Sequence, residues 1–368
     1  MKVRNNYNEC LTNLACSIRK YFNLSYNHNT IEFVDKILEE RKPKNVVTIL
    51  YDGMGANILK RTLNENDFLV KNMEKSITTV FPATTVAATT SMVTGLNPVE
   101  TGMIGWNTYY KDIDKIITTF LNFEKTDSTF TPLKEAKNVR KKYMKEKTIV
   151  ESINEEGKYK AYGLYPFGVE PYKDALDMYS RIEKYCNEEG KKYIYAYDEE
   201  PDHTMHMYGP DNKTVKDLIR YRNIMTEKIC NNLKDTVIFV VADHGHIKVD
   251  NIFLKDYPDI IECLKRNTST ESRAVSFFIK ENKKEEFEKL FNKYFGNDFD
   301  LYTKEDILES NLFGDGEKNE IIDSELGDYL AIAKTNKTLL YEGDEVLESH
   351  HAGYTDDEIF VPLIIIEK

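Results

Sequence analysis

Val46-Val47-Thr48-Ile49-Leu50-Tyr51-Asp52-Gly53-Met54-Gly55 is an apolar, β-branched run without alternation that stops at an aspartate set among glycines. A strand that is apolar on both faces belongs inside a parallel sheet covered by helices on either side. The pattern recurs in Lys160-Ala161-Tyr162-Gly163-Leu164-Tyr165 before Pro166, in Tyr193-Ile194-Tyr195-Ala196-Tyr197 before Asp198, and in Thr236-Val237-Ile238-Phe239-Val240-Val241-Ala242 before Asp243. Helical stretches such as 213–233 lie between them, so strands alternate with helices and a doubly wound, mostly parallel α/β sheet is expected. Ligands of such sheets bind beyond the carboxyl ends of the strands. Asp52 and Asp243 each directly follow a strand, and Asp202 lies a few residues after another.

Outward from these strands, residues 8–22 place Leu11, Leu14, Ala15, Ile18 and Phe22 at helical spacing. From about 266 to 325 the texture changes to a strand at Ser276–Ile279, a lysine- and glutamate-rich helix over about 282–294, and glycine turns near Gly314 and Gly316. This reads as a small α+β insertion, a cap or subdomain, within one catalytic domain spanning 1–368. Core texture resumes at Gly327–Ala333, and Phe360–Ile366 supplies a last strand whose Pro362 points to a start at a sheet edge.

A formal charge of −12 opposes binding to nucleic acid polymers or to an anionic membrane surface. No stretch approaches the ~18 apolar residues of a membrane span, and the N-terminus carries no apolar signal region. The 5 cysteines, Cys10, Cys16, Cys186, Cys230 and Cys263, form no Cys-x-x-Cys pair and are odd in number, which reads as reduced thiols. A cytoplasmic protein is the expectation.

The chemistry is concentrated in histidine. Of 7 histidines only His28 lies outside three clusters: Asp202-His203-Thr204-Met205-His206, Asp243-His244-Gly245-His246 and His350-His351. Imidazole and carboxylate together select a borderline divalent ion. The Asp202 to His206 spacing sets both side chains on one side of a helical turn, with His203 turned elsewhere. Gly245 is expected to allow a sharp turn after the buried strand. Either His350 or His351 could supply a further ligand, and His246 is open between a substrate contact and a loop residue. Phe81–Gly95 is rich in hydroxyls, and Ala87–Val93 reads as a buried helix closing at Gly95. Thr85 falls at its start, where free N–H groups and the helix dipole favour an oxyanion and a phosphate.

Together Asp52-Gly-Met-Gly, Phe81-Pro-Ala-Thr-Thr85 with Thr94-Gly95-Leu96 and Pro98, Asp202-x-x-x-His206, Ala242-Asp243-His244-Gly245 and His351-Ala-Gly resemble the alkaline phosphatase superfamily. The nearest likeness is to its nucleotide pyrophosphatase/phosphodiesterase branch. The resemblance implies an alkaline-phosphatase-like fold and two divalent metal ions, zinc first and Mn2+ as the alternative. Asp202, His206 and His351 would hold one ion; Asp52, Asp243, His244 and the nucleophile Thr85 would hold the other. Two positions depart from the pattern: Ala88 stands where many nucleotide pyrophosphatases carry asparagine, and no arginine lies between Arg61 and Arg140. Monoesterases of the superfamily commonly meet the phosphate dianion with an arginine, so its absence favours diesters.

The expected activity is metal-dependent hydrolysis of a phosphodiester or pyrophosphate bond through a threonyl-phosphate, on a small-molecule phosphate ester. A phosphate monoesterase or phosphomutase of the same superfamily is the alternative among enzymes. A non-catalytic, metal-stabilised binding protein is the alternative outside them.

Overall fold

A computed structural model of the chain describes residues 3–134 and 138–368. Met1 and Lys2, which begin the N-terminal stretch read above, lie outside the described residues. The central sheet has six strands in the order Met73–Thr78, Phe360–Glu367, Thr236–Val241, Asn45–Tyr51, Lys192–Asp198 and Lys160–Leu164. The last four are mutually parallel, while Phe360–Glu367 runs antiparallel to both of its neighbours.

Every residue of Asn45–Tyr51 is buried, as its unbroken apolar run requires. Alternate residues serve different helix layers. Tyr51 Oη meets Tyr179 Oη and Thr226 Oγ1 on helices Ala175–Cys186 and Lys213–Asn232. Thr48, one pleat position away in phase, takes a bond from Tyr193, whose ring packs on Phe22 beside helix Leu11–Tyr21. Period-two alternation thus points successive side chains to opposite helix layers.

Pro362 sits where Phe360–Glu367 is paired on one side only, to Ser76; pairing to the Thr236–Val241 strand begins at Ile364. The ring therefore removes no donor that a second ladder would need.

The 266–325 segment does not close on itself. Ser269–Thr270, Ala274–Phe277 and Phe299–Thr303 join Tyr329–Ala333, Asn107–Tyr110, Lys115–Thr118 and Phe123–Glu124 in one seven-stranded sheet. Tyr329–Ala333, read from sequence as a return to the main core, lies between Ala274–Phe277 and Phe299–Thr303 in this second sheet. Its apolar face packs on helix Lys284–Phe295 through Phe287, Phe291 and Phe295. Antiparallel pairing across long sequence separations builds this layer, so local texture alone draws its boundary too tightly.

Among the described residues no helix is long and apolar enough to cross a membrane.

Candidate metal centre

At the carboxyl end of Asn45–Tyr51 the chain turns through Gly53, whose φ of +71° suits glycine. The Gly53 N–H donates to Asp243 Oδ1 at 3.0 Å, tying the ends of two neighbouring strands together. Asp202 opens the helix Asp202–Tyr208, and its N–H donates to the Asp52 carbonyl. His206 follows one turn later on the same side, while His203 is exposed. Gly245 has no left-handed φ. It is glycine because a Cβ there would lie 1.9 Å from the Asp357 carbonyl oxygen and 3.2 Å from the Gly55 Cα, so close approach replaces the expected sharp turn as its reason.

Thr85 heads the helix Thr85–Thr94, which Gly95 closes at φ +79°. Ala88 lies buried in its first turns. Thr85 Oγ1 stands 3.4 Å from both Asp52 carboxylate oxygens and 3.2 Å from His244 Nε2.

The carboxylates and imidazoles form two clusters. One holds Asp52, Asp243 and His244; the other holds Asp202, His206, His246 and His351. Within each, the donor atoms lie within 4.8 Å of one another. His244 Nδ1 faces the Gly245 carbonyl, His206 Nδ1 the Ser349 carbonyl and His351 Nδ1 the Ala83 carbonyl, at 3.1, 2.9 and 3.1 Å. A carbonyl only accepts, so each Nδ1 carries a proton, and each imidazole when neutral offers its Nε2 lone pair. Those lone pairs face carboxylates: His244 to Asp52 at 3.3 Å and to Asp243 at 3.6 Å, and His206 to Asp202 at 3.4 Å. Asp243 Oδ2 is fully buried and has no hydrogen-bond partner. Lone pairs converging on a common space are a donor set that fits a divalent cation, and carbonyl-anchored imidazoles are how proteins orient metal-binding histidines.

Burial, reinforced by the charges of Asp243 and Asp202, pushes the Asp52 carboxyl well above its usual range. Burial, with His244 alongside, holds His351 well below the ordinary imidazole value.

His246 is the member that sequence reasoning left open. Ser349 Oγ uses its one proton on the Met205 carbonyl at 2.6 Å, so it can only accept from His246 Nδ1 at 2.9 Å. The His246 Nε2 then faces Asp202 Oδ1 at 2.6 Å. Tyr197 Oη donates to Asp52 Oδ2. His350 belongs to neither cluster although its ring lies 5.1 Å from that of His206, and among the described residues its Nδ1 has no partner.

The sequence model of the type I phosphodiesterase / nucleotide pyrophosphatase family matches residues 46–354, a span that contains both clusters and Thr85. The chain belongs to that family. It is therefore a phosphoric ester hydrolase, and the non-catalytic reading falls away. Solved structures similar to this phosphodiesterase include murine ectonucleotide pyrophosphatase / phosphodiesterase 5, at 17% identity and a TM-score of 0.65, covering 88% of each chain. The human protein of the same name matches at 17% identity and a TM-score of 0.65 over 88% of this chain and 87% of that one. An inactive threonine-to-alanine form of the murine protein, in complex with AMP, matches at 17% identity and a TM-score of 0.63, covering 86% and 87%. At that identity the likeness speaks for the fold, the alkaline-phosphatase-like architecture expected above. No curated protein sequence matches the phosphodiesterase significantly.

Tyr109 packs edge-on against Phe278 beneath Arg266, Tyr110 is buried, and Tyr162 stacks on Tyr185. Tyr165 packs against Tyr195 and Tyr197, beside the exposed Phe167.

Proposed function

We propose that this phosphodiesterase hydrolyses a phosphodiester or pyrophosphate bond in two displacements, with Thr85 Oγ1 as nucleophile and a threonyl-phosphate as intermediate. The placing of Thr85 Oγ1 against Asp52 and His244, in a cluster whose His244 ring stacks 3.8 Å from His351 of the other, supports the reading. Asp202, His206 and His351 would hold one divalent ion, with His246 beside them, and Asp52, Asp243, His244 and Thr85 the other. Zinc suits the mixed imidazole and carboxylate set best, with manganese as the alternative. Such ions supply Lewis acidity, neutralising charge on phosphate oxygens and lowering the pKa of hydroxyls.

The remaining chemistry belongs to the chain. The first-turn N–H groups of the Thr85 helix have no partner within the helix and receive the phosphate with the positive end of its dipole. Asp52, fixed by Tyr197, orients the threonine hydroxyl for in-line attack. Water then cleaves the threonyl-phosphate and frees Thr85. Among the described residues the side-chain partners of Thr85 Oγ1 are Asp52 and His244, with no arginine or lysine, and this favours a diester over a dianionic monoester. The AMP held by the murine relative motivates nucleotides as the first substrates to try.

Thr85→Ala should lower turnover of bis(nitrophenyl) phosphate by about a thousandfold or more, while metal content measured by mass spectrometry largely persists. Retained turnover would remove Thr85 from this role.

A further inference from the structure

Threonine just before a helix ordinarily folds its hydroxyl back onto an N–H of the first turn and caps it. Thr84 holds that position ahead of the Thr85 helix, with extended backbone at φ −136° and ψ 149°, yet its side chain caps nothing. Its hydroxyl donates instead to Glu271 Oε1 at 2.6 Å. The same carboxylate oxygen accepts the Trp106 N–H at 2.7 Å. Glu271 is only 7% exposed and lies in the turn between Ser269–Thr270 and Ala274–Phe277, in the second sheet.

That turn is built under strain. Thr270 adopts φ +71°, a left-handed conformation that a β-branched residue takes up only under strain. Gly105 approaches so closely that a Cβ on it would lie 2.7 Å from the Thr270 Cα. Strain held by surrounding packing is often kept where it places a functional group. Here the group it carries is Glu271.

We propose that Glu271 is a positioning residue that draws the Thr84 hydroxyl away from its own helix, so that the first-turn N–H groups stay free for the substrate phosphate. This rests on the reading that phosphate is bound at the head of the Thr85 helix. Without Glu271, the Thr84 hydroxyl rotates back, caps the helix and competes with the anion.

The test is a mutant cycle read by calorimetric binding of inorganic phosphate to the metal-loaded protein, with metal content measured in parallel. Glu271→Ala should weaken phosphate binding by about fivefold, the equivalent of one side-chain cap. Removing the competing hydroxyl as well, in Thr84→Val/Glu271→Ala, should recover most of that loss. Glu271→Gln keeps an acceptor oxygen for both donors and should bind within about twofold of the wild type, a neutral acceptor being weaker than a charged one. Wild-type binding that does not respond to Glu271→Ala, or a double variant no better than Glu271→Ala, would overturn the proposal alone. Wild-type protein that binds no phosphate would overturn the reading of the site together with it.

Discussion

Replacing Arg273 by methionine keeps most of a side chain's volume but removes a fully buried cation. The guanidinium meets Glu358 through Nε at 2.6 Å and Nη2 at 2.8 Å, and also donates to the Lys337 and Thr335 carbonyls at 2.6 and 2.8 Å. Both charged groups are 0% exposed. In Arg273→Met the Glu358 carboxylate keeps the Gly353 N–H, the Thr355 N–H and the Thr355 hydroxyl, but it loses its counter-charge, and two carbonyls lose a donor. Breaking one half of a buried pair costs about 3–5 kcal/mol, a large share of a typical folding free energy of about 5–15 kcal/mol. Urea denaturation followed by circular dichroism measures the loss. Glu358→Gln should be costly for the mirror-image reason, and Arg273→Met/Glu358→Gln should lose less than the sum, with a coupling of about 2–3 kcal/mol. The pH dependence has a definite sign. Burial raises the Glu358 carboxyl, but Arg273 and the Thr355 bonds outweigh it and hold it below the usual range. Its stabilising contribution is present above the ordinary carboxylate pKa and fades as pH falls through the lower folded value. Arg273→Met reverses the shift, so the gap between the two proteins should narrow in acid. A loss under about 1 kcal/mol for Arg273→Met, or strict additivity in the double variant, would refute the argument.

Other outcomes follow from the same geometry. Gly245→Ala sets a methyl 1.9 Å from the Asp357 carbonyl oxygen, so it should destabilise by about 3 kcal/mol and lower metal occupancy, as melting and metal analysis would show. Chelation should abolish diester turnover and lower the melting temperature, because Asp52, Asp202 and Asp243 then repel one another in a buried space; unchanged turnover after verified metal removal would contradict the proposed function. Among the described residues neither oxygen of the buried Glu325 has a partner, and burial alone raises its carboxyl well above the ordinary carboxylate value. Its contribution is present below that value and lost as pH rises toward the folded one, so wild-type stability should fall against Glu325→Gln by up to about 1.4 kcal/mol per pH unit.

What could be read in advance follows a physical division. Asn45–Tyr51, Lys192–Asp198 and Thr236–Val241 were legible because burial on both faces leaves an unbroken apolar run. Met73–Thr78 was not, since its first four residues, Met73-Glu74-Lys75-Ser76, are partly or fully solvated and read as polar chain. Nor does Phe360–Glu367 carry any local mark of its antiparallel direction. In the candidate site, clustered histidines stand out against a scarce background, and Thr85 against a helix start. Glu271 left no such trace, because its meaning comes from Thr84, 187 residues away in the chain. Tyr197 and Ser349 are hidden for the same reason: each orients a neighbour through one bond that only the fold brings about.

The insertion of Phe360–Glu367 between Met73–Thr78 and Thr236–Val241 has a consequence for biosynthesis. An early-made strand at the sheet's margin has no partner in the sheet until Phe360–Glu367 has left the ribosome. The growing polypeptide must carry that open margin while residues 79–359 are made, and the unpaired side of Thr236–Val241 while residues 242–359 are made. Unpaired strand edges invite association with other chains, and pairings of such long range form slowly. Nascent-chain yield should therefore depend on chaperone capacity far more than the stability of the finished sheet would suggest.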